Sequence, residues 1–164
     1  MVTHELAQLN IGIFRAPIDS PEMAEFVANL DRINALAEQS PGFVWRLQTE
    51  EGNATALRPY EDDRMIVNMS VWESIDALAA FVYRSGHVDV MRRRREWFES
   101  MKPYMVLWWI PAGAIPTVDE AKERLEHLRV NGPTPHAFTF KARFPSPDAD
   151  TADVVVDDDL RCPA

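Results

Sequence analysis

A single cysteine, Cys162, stands in this chain of 164 residues, and it lies two residues from the C-terminus. No internal disulfide and no cysteine-built metal cage can form, which fits a reducing compartment. Basic residues are outnumbered, 17 Lys and Arg against 26 Asp and Glu, for a net charge of −9. A nucleic-acid partner asks for a basic stripe, so that class is disfavoured. No run of eighteen or more uncharged apolar residues occurs, and the first twenty residues lack a basic start followed by an apolar stretch. These absences predict a soluble, cytoplasmic protein with no membrane partner. Gly-rich phosphate loops, a GxSxG elbow and a Cys/His nucleophile pair are also missing.

What remains is 46% hydrophobic, enough to bury one core. Part of the negative charge is local. Residues 148–164 hold six aspartates and one arginine, net −5, and offer no packing pattern. One domain over 1–147 and a disordered acidic tail over 148–164 are expected.

HELAQLNI, residues 4–11, alternates with period two and predicts a strand. After APIDSP, apolar residues recur at helical spacing from Met23 to Ala37, with Ser20 and Pro21 as the start signal. SPG at 40–42 ends that helix and opens a strand over Phe43–Gln48. A polar connection leads to a further strand, Arg64–Trp72, as a long-looped hairpin. Ser74 caps a helix over Ile75–Tyr83 that pauses at SG and resumes from His87 to about Phe98. PYMVLWWIP is the fourth strand, apolar on both faces. Thr117 and Glu120 form a capping box for a third helix ended by Gly132 and Pro133, and HAFTFKARF alternates like a short extra strand or arm.

Strand, helix, strand, strand, helix, strand is the split βαβ order of an α+β, ferredoxin-like fold, a four-stranded antiparallel sheet with both helices on one face. The opposite face would then need a cover, and a second copy of the chain is the simplest one. A homodimer is expected.

The segments LAQLNIG, SPGFVWRLQ, VNMSVWES, SGHVDVMRRRREWF and PTVDEAKERLEHLRVNGPTPHAFTF together resemble the domain-of-unknown-function family 3291, of the dimeric α/β-barrel superfamily. The resemblance covers roughly residues 4–145. It implies a pocket between the sheet and its own helices, with His87 of SGHVDV matching a histidine that is often functional in such barrels. The superfamily includes antibiotic-biosynthesis monooxygenases that use no cofactor, haem-degrading enzymes, isomerases and lyases, so fold leaves chemistry open.

Period two puts Gln8 with Asn10, Arg46 with Gln48, and Asn68 with Ser70 on one side of their respective strands. If the three strands present the same side, amide and guanidinium donors converge where they suit an enolate or carboxylate oxygen. The alternative is a set of strand-end or interface residues bonded to one another. His87, at a helix start and on the side carrying Met91, would be held neutral by the helix dipole and suited to moving a proton. The same residue is a lone candidate haem ligand, and a satisfied core histidine is the plainer reading.

Trp45, Trp72, Tyr83, Met91 and Trp108 are candidate substrate contacts together with Gln8. Adjacent Trp108 and Trp109 must part to opposite faces, one of them towards a partner chain. The arginines at 92–95 span a full helical turn and read mainly as solvated charge. Glu123 and His127 are four apart, a surface pair rather than a metal site. The expected function is chemistry without a cofactor, of monooxygenase, isomerase or cyclase type, on a small aromatic or carbonyl compound. His87 would carry the proton, and Arg46, Asn10 and Asn68 the developing oxyanion. Haem binding or degradation, or a non-enzymatic ligand-binding or accessory dimer, are the alternatives.

Overall fold

The computed structural model describes residues 3–48, 64–85, 87–100 and 104–149, and of His87, Val90 and Met91 the backbone alone. The hairpin connection at 49–63 and all of the acidic tail beyond residue 149 lie outside the described residues. The elements are β1 (His4–Ile13), α1 (Ala24–Glu38), β2 (Phe43–Arg46), β3 (Met65–Trp72), α2 (Ile75–Arg84), α3 (His87–Arg92), α4 (Arg94–Trp97), β4 (Met105–Pro111) and α5 (Val118–Asn131). One sheet joins the four strands in the order β2-β3-β1-β4, every neighbour antiparallel, which is the ferredoxin-like arrangement.

Alternation along β1 divides the core. Ala7, Leu9 and Ile11 share one face with Val67, Met69, Val71, Val106, Trp108 and Ile110, while Leu6, Trp72 and Leu107 belong to the other. α1 and α2 cover the second face, as the order of elements predicts. The first face is covered by α5, whose Ala121, Leu125 and Leu128 are buried against it. That corrects the argument for pairing. The face thought to need a second copy is sealed within one chain, and its strand residues from Val67 to Ile110 are at most 3% exposed.

Helix starts differ in how they are made. Ser74 Oγ accepts the Ala77 amide at 3.1 Å, and Thr117 Oγ1 accepts that of Glu120 at 3.1 Å. Glu120 does not return the capping-box bond; its carboxylate accepts Trp108 Nε1 at 3.1 Å instead. Ser20 does not cap at all. A short 3-10 turn, Pro21–Met23, leads into α1, and the Ser20 hydroxyl is buried without a partner among the described residues. Pro21 alone supplies the start by having no amide to satisfy.

Of the two forms expected for HAFTFKARF, strand or arm, the structure shows the arm. It makes one bridge to the sheet, in which Phe138 and Leu107 exchange backbone bonds of 2.8 and 2.9 Å, and so blunts the outer edge of β4. Trp109, expected towards a partner chain, meets this arm: its ring lies 6.4 Å from Phe138, and Nε1 donates to the Phe144 carbonyl at 3.0 Å. No helix among the described residues is long and apolar enough to cross a membrane.

Candidate functional site

Between the helix-side face of the sheet and α1, α2 and α4 lies a cavity of about 140 Å³. Its floor is polar in the middle and apolar around it. Register explains why. Gln8 pairs with Ser70, Asn10 with Asn68, and Arg46 with Ser70, so side chains from β1, β2 and β3 emerge on one face. Arg46 reaches that face through an irregularity in β2. Phe43 opposes Trp72 and Trp45 opposes Val71, so Val44 is an extra residue that flips the alternation. Phe43 and Arg46 therefore share the cavity side.

The polar groups are bonded to one another with a defined remainder. Asn10 Nδ2 donates to Gln8 Oε1 at 3.1 Å, and Gln8 Nε2 donates to Asn68 Oδ1 at 2.8 Å and to Ser70 Oγ at 2.9 Å. Trp72 Nε1 donates to the same hydroxyl at 2.9 Å. Gln8 is thereby saturated as a donor, whereas the Asn68 amide nitrogen has no side-chain or backbone acceptor among the described residues. Arg46, its side chain 13% exposed, donates Nε to Glu38 Oε1 at 2.7 Å, leaving its terminal nitrogens unbonded among the described residues. Two sets of N–H donors on the cavity wall are thus left without protein acceptors among the described residues, on Asn68, which is exposed, and on Arg46, which is mostly buried.

The roof holds a polar group that sequence reading passed over. Asn34 of α1 lines the cavity, is 9% exposed, and has no hydrogen-bond partner among the described residues. Its signal was present: a carboxamide seated in the apolar stripe between Leu30 and Ala37, where a leucine is expected.

Arg94 is the second surprise. Read as part of a solvated run, it instead lines the cavity, donates Nη2 to the Ile11 carbonyl at 2.9 Å, and stacks its guanidinium 4.7 Å from the Phe98 ring and 4.4 Å from Tyr104. Burial pulls its pKa below the usual arginine value, with the nearby Tyr104 charge acting the other way. Its neighbours behave as read: Arg92 faces Asp89 at 3.9 Å in solvent, and Arg93 pairs with Glu96 at 2.8 Å and with Glu25.

Of the residues singled out from sequence, Gln8, Asn10, Arg46, Asn68, Trp72 and Tyr83 line the cavity. Trp45 and Trp108 do not. Trp45 adjoins Arg46 and so emerges on the α5 side, and period two puts Trp108 there with Val106 and Ile110, fully buried. His87 opens α3 and Met91 lies within it, but their side chains lie outside those described. The other three histidines are bonded elsewhere: His4 to Thr3 and Asp148, His127 and His136 on the α5 side. The haem reading rests on His87 alone and so lies outside the described side chains.

Glu123 and His127 acquire a third neighbour, His136, with potential ligand atoms within 4.8 Å of one another. Arg124 Nη1 donates to His136 Nδ1 at 3.0 Å, which puts the ring proton on Nε2, facing Glu123 at 2.9 Å. A guanidinium at that distance opposes a metal cation, and the cluster ties the segment at 134–136 to α5.

Comparison with solved structures finds SnoaB, a cofactor-independent oxygenase from Streptomyces nogalater, at 21% identity, covering 70% of this chain and 96% of that one with a TM-score of 0.43. PA3566 from Pseudomonas aeruginosa is 12% identical over 70% of this chain and 99% of that one, with a TM-score of 0.46. Rv0793 from Mycobacterium tuberculosis is 13% identical over 70% and 98%, with a TM-score of 0.42. Likenesses at this level say nothing of this chain's chemistry. No curated protein matches. The family model of the domain of unknown function DUF3291 matches residues 5–154, and the chain belongs to that family.

Proposed function

We propose that the cavity is the active site of an enzyme that works without a cofactor on a small aromatic ketone or related carbonyl compound, by removing a proton next to the carbonyl. Oxygenation, isomerisation and cyclisation of such compounds share that first step: the C–H proton passes to a base and its electron pair moves onto the carbonyl oxygen. The enolate oxygen is received by the Asn68 amide and the Arg46 guanidinium. Asn10 and Gln8 hold the Asn68 side chain in place through their bonded chain. Trp72 and Tyr83 flank the ring of the substrate. The proton goes to His87, which opens α3 and is separated from α2 by Ser85 and Gly86.

The observation that carries this reading is the convergence of Gln8, Asn10, Arg46, Asn68 and Ser70 from three strands onto one patch of an otherwise apolar cavity wall. An accessory dimer without chemistry needs no such patch.

Deuterium exchange tests the proposal. 2-Tetralone in D2O, followed by proton NMR, should lose its α-protons faster with the protein than in buffer. Loss of one oxyanion donor costs roughly 10²–10³ in rate in well-studied cases, so Asn68→Leu and Arg46→Met should each slow the exchange at least tenfold. His87→Ala should abolish the acceleration while leaving the melting temperature unchanged. Exchange no faster than in buffer refutes the enzyme. Full exchange in the His87 variant removes the role given to that residue.

A further inference from the structure

The two arginines that line the cavity among the described residues differ in one respect. Arg46 has a carboxylate, Glu38, at 2.7 Å, as Arg93 has Glu96 and Arg124 has Glu120 within 4.0 Å. Arg94 has none within that distance among the described residues, in a chain with nine more acidic than basic groups. What Arg94 does have is the Ile11 carbonyl for one N–H and two aromatic faces, Phe98 and Tyr104, for its plane. A guanidinium carries five N–H donors, and none of its nitrogens is sealed away without a partner. Stacking offsets part of the cost of taking a cation out of water but supplies no counter-charge. Apart from the Nη2 bond to Ile11, its guanidinium has no acceptor among the described residues, and the side chain lines the cavity.

We infer that the compound bound in this cavity carries a carboxylate, and that Arg94 receives it. This rests on the reading of the cavity as a substrate site and adds the class of substrate. One guanidinium matches one planar carboxylate edge to edge, two N–H groups to two oxygens. A phosphate is a poorer occupant: the described wall brings no lysine and no glycine-rich loop to this end.

Placement sets the shape of the ligand. Arg94 is anchored at Ile11, beside Gly12, and Asn68 stands opposite Asn10. The rows of Asn10 and Gly12 are two residues apart along β1, about 7 Å. The acid and the reacting carbonyl are then separated by about the width of a ring system, with Phe98 at the acid end and Trp72 further along β3 beyond the carbonyl. The carboxylate binds and orients; it does not react.

The test uses 2-naphthoate and 2-naphthamide, which share size and ring and differ in charge. Titration calorimetry of the full chain should give naphthoate the tighter binding by about tenfold or more, the range of a charge-assisted hydrogen bond. Arg94→Met should bring the two ligands to equal affinity while naphthamide still binds as to the unaltered protein, which shows that the variant is folded. Arg46→Met should keep the preference. Equal affinities in the unaltered protein, or a preference that survives in Arg94→Met, overturn the inference and leave the cavity a substrate site. Binding of neither ligand overturns both readings.

Discussion

Gly12 is where backbone and cavity wall come closest, and Gly12→Ala measures how firmly that wall is held. A Cβ at this position falls 2.4 Å from Phe98 Cδ1 and 2.6 Å from Cε1, whereas carbon atoms rest at about 3.5–4.0 Å. The ring must therefore retreat by about 1 Å. Its surroundings do not allow that cheaply. Phe98 is 6% exposed, stacked on Phe14 at 5.4 Å, set edge-on to Phe26 at 5.2 Å and covered by Arg94 at 4.7 Å. Its backbone is pinned to the end of β1, with Glu99 N bonded to the Ile13 carbonyl and Arg15 N to the Trp97 carbonyl, both at 2.8 Å. Gly12 cannot move away cheaply either, since it pairs with Ile66 of β3 on one side and the next residue, Ile13, is held by Glu99 on the other. Overpacking of this kind costs about 1–3 kcal/mol. For a chain of this size that is a fall in melting temperature of about 3–10 °C. Thermal and urea unfolding followed by tryptophan fluorescence would read it. Phe98→Leu in the same chain should recover about 1 kcal/mol or more of the loss, since the two residues touch and their effects do not add. A Gly12→Ala protein within about 0.5 kcal/mol of the original, or strict additivity with Phe98→Leu, would show that the aromatic wall yields.

Two other perturbations probe neighbouring features. Asn34→Leu should raise stability by about 1 kcal/mol, because it removes a buried amide without a partner and installs a better helix former. It should also weaken 2-naphthamide binding; a destabilised variant would mean that Asn34 serves the fold. Asp148 accepts the amides of Thr3 at 2.9 Å and His4 at 2.8 Å, joining the C-terminal arm to the start of β1. Desolvation works to raise its carboxyl, and the bonds from the His4 ring and the two amides outweigh it and hold the pKa below the ordinary aspartate value. The sign follows: this anchor contributes above the ordinary aspartate range and is lost as pH falls through and below it. Hydrogen-exchange protection of the Thr3 and His4 amides, corrected for intrinsic rates, should fall on that acid side, and Asp148→Asn should remove the pH dependence. Unchanged protection at acid pH would refute the link.

Local pattern determined a good deal. Alternation in HELAQLNI and VNMSVW marked two strands within two residues of their ends, and Ser74 and Thr117 announced their helices through caps that form in the structure. Period two alone paired Gln8 with Asn10 and Asn68 with Ser70, because side-chain direction along a strand is a property of that strand. The element order then implied the sheet, since few topologies satisfy short connections. Tertiary structure decided whether those pairs meet. Gln8 bonds to a hydroxyl 62 positions away, and no local period carries that register. One extra residue, Val44, put Phe43 on the same side as Arg46. α5 took the face that a second chain was expected to cover. Arg94 went inward because the helix breaks between Arg92 and Arg94 and two aromatic faces wait at that turn. Charge runs and helical stripes name which residues prefer water or oil on average; which single member turns inward depends on what the distant chain has packed against it.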